Sequence, residues 1–208
     1  MQAEALLKAV ADPNAWLDKS LALRRAGDSV WAGFFQSLVR AFLAEKGGES
    51  EAIRAAWAEA DGYLQSSCLL YGLALETAFK AHILRHAPHE VSLQLVTDGA
   101  SKVVSVEIKQ LGVPIKDGHS LEALAHKAGA FNRGPDAIFQ ADSDYQAMKE
   151  ILAHLSEAVL WRARYPTPLK SGPARESDPN VPGKVLGHYL RDWLDPLLDH
   201  FQRAPNNK

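Results

Sequence analysis

The chain has 208 residues, enough for one sizeable domain or a domain with extensions. With 47% hydrophobic and 23% charged residues it has the composition of an ordinary soluble globule. A formal net charge of −2 excludes a global electrostatic pull toward nucleic acid or an anionic membrane, so any basic patch must be local.

The only cysteine, Cys68, excludes an intrachain disulfide and falls in an apolar stripe, where a thiol behaves as a small core residue. The amino-terminal stretch MQAEALLKAVADP is too polar for a signal peptide. No apolar run approaches the roughly 18 residues of a membrane span. The expected location is therefore the cytoplasm, with no membrane partner.

Residues 1–12 read as a short amphipathic helix with Leu6, Leu7 and Val10 on one side. Asp12-Pro13 is a start signal, the Asp capping and the Pro fitting the first turn. A second helix is expected over about 13–26, ending at Gly27. Asp28 or Ser29 then caps a third over about 30–46, with Trp31, Phe34, Phe35, Leu38, Val39 and Phe42 along one face and Gly47-Gly48 at its end. Ser50 starts a segment that Asp61-Gly62 either breaks or kinks.

The central stretch, YLQSSCLLYGLALETAFKAHILRH over 63–86, places apolar or small residues around most of its circumference between Cys68 and Ala81. Such a helix is covered on several sides, as the central member of a bundle. Glu76 and Lys80, four apart in the favourable order, read as a pair fixing one helix edge at the surface. The period then changes. Residues 91–97 and 102–108 alternate around Asp98-Gly99, which predicts a β-hairpin inserted between helices. It must pack on the bundle or on a partner chain, because a lone hairpin is marginal in water.

His119-Ser120 opens a short helix over 120–129, ended by Gly129, and Asn132-Arg133-Gly134-Pro135 reads as a loop. Asp142, Ser143 or Asp144 caps a helix to about Arg164. Residues 166–182 are proline-rich loop. A last amphipathic helix over 183–203 contains Pro196, which should kink or split it. The fold class is all-α: an up-and-down helical bundle with a small β-hairpin near 91–108, in one domain.

Three groups of residues carry possible chemistry. His82, His86 and His89 follow a His-x-x-x-His-x-x-His spacing at a helix C-terminus, where two imidazoles on one face could grip a metal. The helix dipole also favours histidines there without any metal. His119 reads either as part of a helix cap with Ser120 or as a ligand contact. Trp161-Arg162-Ala163-Arg164-Tyr165, followed by Lys170 and Arg175, is the one local basic stretch, with no acid between Glu157 and Glu176. Arginines interleaved with aromatics can hold phosphates and stack bases, and can equally cap and pack a helix end.

LLYGLALETAFKAHIL, GHSLEALAHKAG and LSEAVLWRARYP, in that order, resemble the HEPN domains through Gly72, Glu76 and Lys80, then Gly118, His119 and Leu121, then Arg164, Tyr165 and Pro166. The resemblance covers about 30–165. It leaves residues 1–28 as a helical extension and 166–203 as a proline-rich loop and helix. It implies a helical bundle, homodimerisation, and a defence or toxin–antitoxin context. Many HEPN domains are metal-independent ribonucleases that use an Arg followed after four to six residues by a His. No Arg in this chain has a His at that distance, and Arg85 with His89 is one residue short. Ribonuclease activity is therefore not expected.

The expected function is non-catalytic binding or assembly without a cofactor. The expected form is a homodimer joined through the central helix or the helix over 144–164. The expected partners are RNA, a nucleotide or another protein, with Lys80, His119, Arg162, Arg164, Lys170 and Arg175 as ligand-binding residues. The alternative is a helical-bundle metalloprotein resembling the DinB-like hydrolases, using His82, His86 and His89.

Overall fold

The computed structural model describes residues 3–48, 50–100, 103–135, 137–162 and 190–203. These form six α-helices: α1 (Ala3–Ala11), α2 (Pro13–Gly47), α3 (Ser50–His86), α4 (Leu121–Lys127), α5 (Asp142–Glu157) and α6 (Leu190–Gln202). A π-helical turn, Ala158–Arg162, extends α5. The strands are β1 (Val91–Thr97), β2 (Val103–Leu111) and the two-residue β3 (Val113–Pro114), antiparallel in the order β1-β2-β3. The architecture is a mostly helical bundle with a β-hairpin. The helix expected over 183–203 is described from Leu190, and its earlier part lies outside the described residues, as does the proline-rich loop.

Asp12 caps α2, its Oδ1 accepting from Asn14 N at 2.9 Å, with Pro13 in the first turn. The expected break at Gly27 is absent, because the residues that suggested it serve tertiary contacts. Gly27 sits inside α2, where a Cβ would lie 3.0 Å from the Tyr71 ring. Asp28, read as a cap, accepts a 2.8 Å hydrogen bond from the Tyr71 hydroxyl. Asp61-Gly62 likewise lies within the unbroken α3. The α2–α3 connection is a tight reversal at Gly48, whose φ of 75° is a left-handed conformation that favours glycine.

α3 is the centre. It packs on α2 along their length and also on α4, α5, the π turn and α6. Tyr71, Leu75, Phe79 and Ile83 are buried, with Ala74 and Ala78 between them. Met148, Ile151, Leu152 and Leu155 of α5, Leu121 and Leu124 of α4, and Leu190, Leu194, Leu197 and Leu198 of α6 close the same core. Each large side chain so buried contributes about 1.5–3 kcal/mol. This covering buries most of the surface of 68–81 within one molecule.

The Ser120 side chain caps α4, accepting from Ala123 N at 3.3 Å. α5 starts at Asp142 with Ala141 in the cap position and no side-chain cap bond. α6 runs through Pro196 as one helix. Pro196 and Asp192, whose carbonyl loses its donor, are both exposed, so water can replace the missing bond. The hairpin forms as expected, but Asp98-Gly99 does not close it tightly. The last pair is Thr97 with Val103. The ribbon packs on α1 and α3 through β2.

Gly72 marks a close approach to α3. A Cβ there would lie 2.7 Å from Val159 Cγ2 and 3.4 Å from the Leu155 carbonyl oxygen. Gly72→Ala is expected to destabilise by about 1–3 kcal/mol through overpacking. Gly62→Ala, where a Cβ meets nothing, should stabilise by about 0.5–1 kcal/mol. Urea unfolding of the two variants checks the contrast, and equal effects would show that Gly72 is not a packing requirement.

Candidate functional site

The apolar character of α3 makes its few polar side chains informative. Glu76 and Lys80 are buried, only 5% and 7% exposed, which corrects the reading of a surface pair. Lys80 Nζ donates to Glu76 Oε1 at 2.6 Å and lies 5.7 Å from the centre of the Trp16 ring of α2. The second carboxylate oxygen, Glu76 Oε2, is 2.9 Å from His119 Nδ1. Both carboxylate oxygens are thus occupied, one from within α3 and one from the segment leading into α4. The cap of α4 is Ser120, which leaves the His119 ring to Glu76. With Nδ1 so held and half the side chain exposed, Nε2 is the ring atom left for solvent or a ligand.

The expected ligand residues Lys80 and His119 are therefore brought together, through Glu76. Lys80 is enclosed by Glu76 and Trp16. Arg162 belongs to the π turn by its backbone. Its side chain, and Arg164, Lys170 and Arg175 altogether, lie outside the described residues.

The three histidines of the alternative metal reading lie at the end of α3 and on the turn after it. His82 and His86 pack ring to ring with centroids 4.3 Å apart, and His82 also meets the edge of Phe201 at 5.0 Å. His89 lies on the 3-10 turn Pro88–Glu90 and is exposed. Among the described residues no group of three or more His, Cys, Asp or Glu side chains could hold a metal ion.

His82 instead faces a cleft of about 290 Å³ that it shares with His200 of α6 and with Asn132 and Arg133 from the loop after α4. Burial, reinforced by the positive fields of His86, His200 and Arg85, pushes His82 down to about 4. Burial and Arg203 also lower His200. No spacing singles out His200, and Asn132-Arg133 read only as loop, because folding alone joins these segments.

Elsewhere polar bonds tie helices together. Arg24 of α2 reaches Asp195 at 2.8 Å and Asp199 at 2.6 Å on α6. Burial opposes the Arg24 charge, but the two aspartates outweigh it and raise its pKa. Burial and the bond to Asp28 push the Tyr71 hydroxyl upward.

No protein-family model matches the chain, no curated protein matches it, and no solved structure matches it. Among the described residues, no helix is long and apolar enough to cross a membrane.

Two outcomes follow. Glu76→Gln leaves the buried Lys80 without its counter-charge and should destabilise by about 3–5 kcal/mol. Adding Lys80→Met should recover much of that loss in urea unfolding, and a double variant as unstable as the single one would contradict the pairing. For His82, the folded pKa of about 4 lies below the ordinary 6.5. The unfolded chain therefore binds the extra proton between these values. Stability should be full above about pH 6.5 and fall as pH drops toward 4. His82→Gln should flatten that part of the pH profile, and an unchanged slope would remove His82 as its source.

Proposed function

We propose that the chain is a HEPN-like binding and assembly protein, without ribonuclease activity, that works as a homodimer. Two things support this reading, the first for HEPN-like packing and the second for the lack of ribonuclease activity. The residues of the first two resembling segments converge on one node, Glu76 holding both Lys80 and His119 while Leu121 packs near Gly72. The Arg–His spacing of the ribonucleases is absent from the sequence. RNA, a nucleotide or a partner protein, in a defence or toxin–antitoxin setting, belongs to the same proposal.

One observation carries the assembly reading. From Phe42 to Glu59 the α2–α3 hairpin has no buried residue among those described. Yet Phe35, Val39, Phe42 and Leu43 form a continuous exposed stripe on α2, and Trp57 of α3 stands edge-on against Phe42. An apolar stripe of this width on a soluble helix is a covered face in the working molecule. The surrounding charges are of both signs, Arg40, Lys46 and Arg54 beside Glu45, Glu51 and Glu59. Such a balance suits a self-complementary contact, and two hairpins packed together make a four-helix bundle.

Sedimentation equilibrium should show a dimer at micromolar concentration. Phe42→Glu with Leu43→Glu should give a monomer with an unchanged melting temperature. A wild-type protein that stays monomeric at about 100 μM, near the weak end of specific association, would overturn the reading.

A further inference from the structure

We propose that the cleft between α3, the loop after α4 and α6 is a binding site for a small phosphate ester. Its polar wall is His82, His200, Asn132 and Arg133. The cleft's volume, about 290 Å³, is at the lower end of the roughly 300–1,000 Å³ of small-molecule sites, and its remaining lining is mostly small or apolar.

The chemistry of the wall selects the ligand. Two imidazoles, a carboxamide and a guanidinium offer N–H donors to one volume. Among the described lining residues there is no carboxylate; Asp136, between Pro135 and Ala137 in sequence, lies outside them. The permanent charges acting on the two imidazoles, those of Arg85 and Arg203, are positive. A cation in this space would meet the Arg133 guanidinium, whereas an oxyanion would find N–H donors on His82, Asn132, Arg133 and His200.

Arg133 is available for that role. Its one ion pair among the described residues, 2.6 Å to Asp142, is with a side chain 94% exposed, and such a pair contributes little. Its guanidinium also lies over the Tyr145 ring, 4.8 Å from the centroid, which holds the plane in place while other N–H groups stay free to turn to a ligand. No described group hydrogen-bonds the ring nitrogens of His82 or His200.

An ester fits better than the free anion. Ile138 lines this cleft and also a second one of about 400 Å³ with Phe139, Trp193, Pro196 and the carboxylates of Asp144 and Asp192. A phosphoryl group between His82 and His200 therefore has apolar side chains and two hydroxyl-accepting carboxylates beside it for the rest of a sugar-like molecule. The site is built from one chain and does not depend on the association proposed above.

The test is a titration of the full-length protein followed by the histidine Hε1 proton signals, assigned with His82→Gln and His200→Gln. Inorganic phosphate should move both signals saturably, and ribose 5-phosphate should do so at lower concentration. Arg133→Gln and His200→Gln change exposed side chains. Each should weaken binding roughly tenfold, the loss expected for one charge-assisted hydrogen bond, with the melting temperature kept. His119→Ala should bind as wild type. No saturable shift with either probe, or wild-type affinity in both Arg133→Gln and His200→Gln, would overturn the site. Acetate binding as tightly as phosphate would overturn the phosphate assignment, and equal binding of the free anion and the sugar phosphate would overturn the ester.

Discussion

A helix that is apolar around most of its circumference has to be covered on all sides, and α3 sets that demand for the rest of the chain. Its small residues, Gly72, Ala74 and Ala78, let neighbouring helices approach closely, while Tyr71, Leu75, Phe79 and Ile83 fill the space between them. α2, α4, α5, the π turn and α6 are arranged as that covering. The carboxy-terminal α6, although far from α3 in sequence, is part of the core, since its Phe201 ring meets Phe79 edge to face at 5.0 Å. Non-directional apolar packing of this kind would tolerate several helix registers.

The polar groups buried beside α3 remove that freedom. Ser20 of α2 donates to the Ala74 carbonyl at 2.6 Å and accepts from Gln202 Nε2 of α6 at 2.7 Å, so one hydroxyl joins three helices. Tyr71 to Asp28 fixes α2 a second time, and Glu76 to His119 fixes the approach to α4. Each bond is short, partly or fully removed from water, and directional, so sliding a helix by one turn would strand its partners. The net contribution of each to stability is small, yet together they select one arrangement among those the apolar surfaces permit.

That division explains which features could be read from the sequence. Period and local chemistry identified the amphipathic helices, the Asp12-Pro13 start, the Ser120 cap and the hairpin, because neighbours in sequence decide them. Gly27 and Asp28 misled, because their roles are to accommodate and bind Tyr71, a residue from another helix. The Glu76–Lys80 pair showed its spacing but not its burial, since the residues that cover it, Trp16 and His119, come from distant segments. For the same reason the cleft was invisible: His82, Asn132, Arg133 and His200 belong to three segments with no motif in common. The metal reading of His82, His86 and His89 used a real helical spacing, but spacing places two rings on one face without supplying a third ligand.

Once the core has taken its polar groups, what remains uncommitted separates by type. Apolar surface is left along the α2–α3 hairpin around Phe42 and Trp57, and donor-rich polar surface is left around His82. Both stand on the same unbroken α3, and at about 1.5 Å of rise per residue Trp57 and His82 are roughly 37 Å apart along it. A helix with no exposed residue from Ser67 to Ile83 has little freedom to repack. Association through the hairpin would therefore set the spacing of two clefts in a dimer without altering either one. Cooperativity between them would require a bistable element that the core around α3 does not provide.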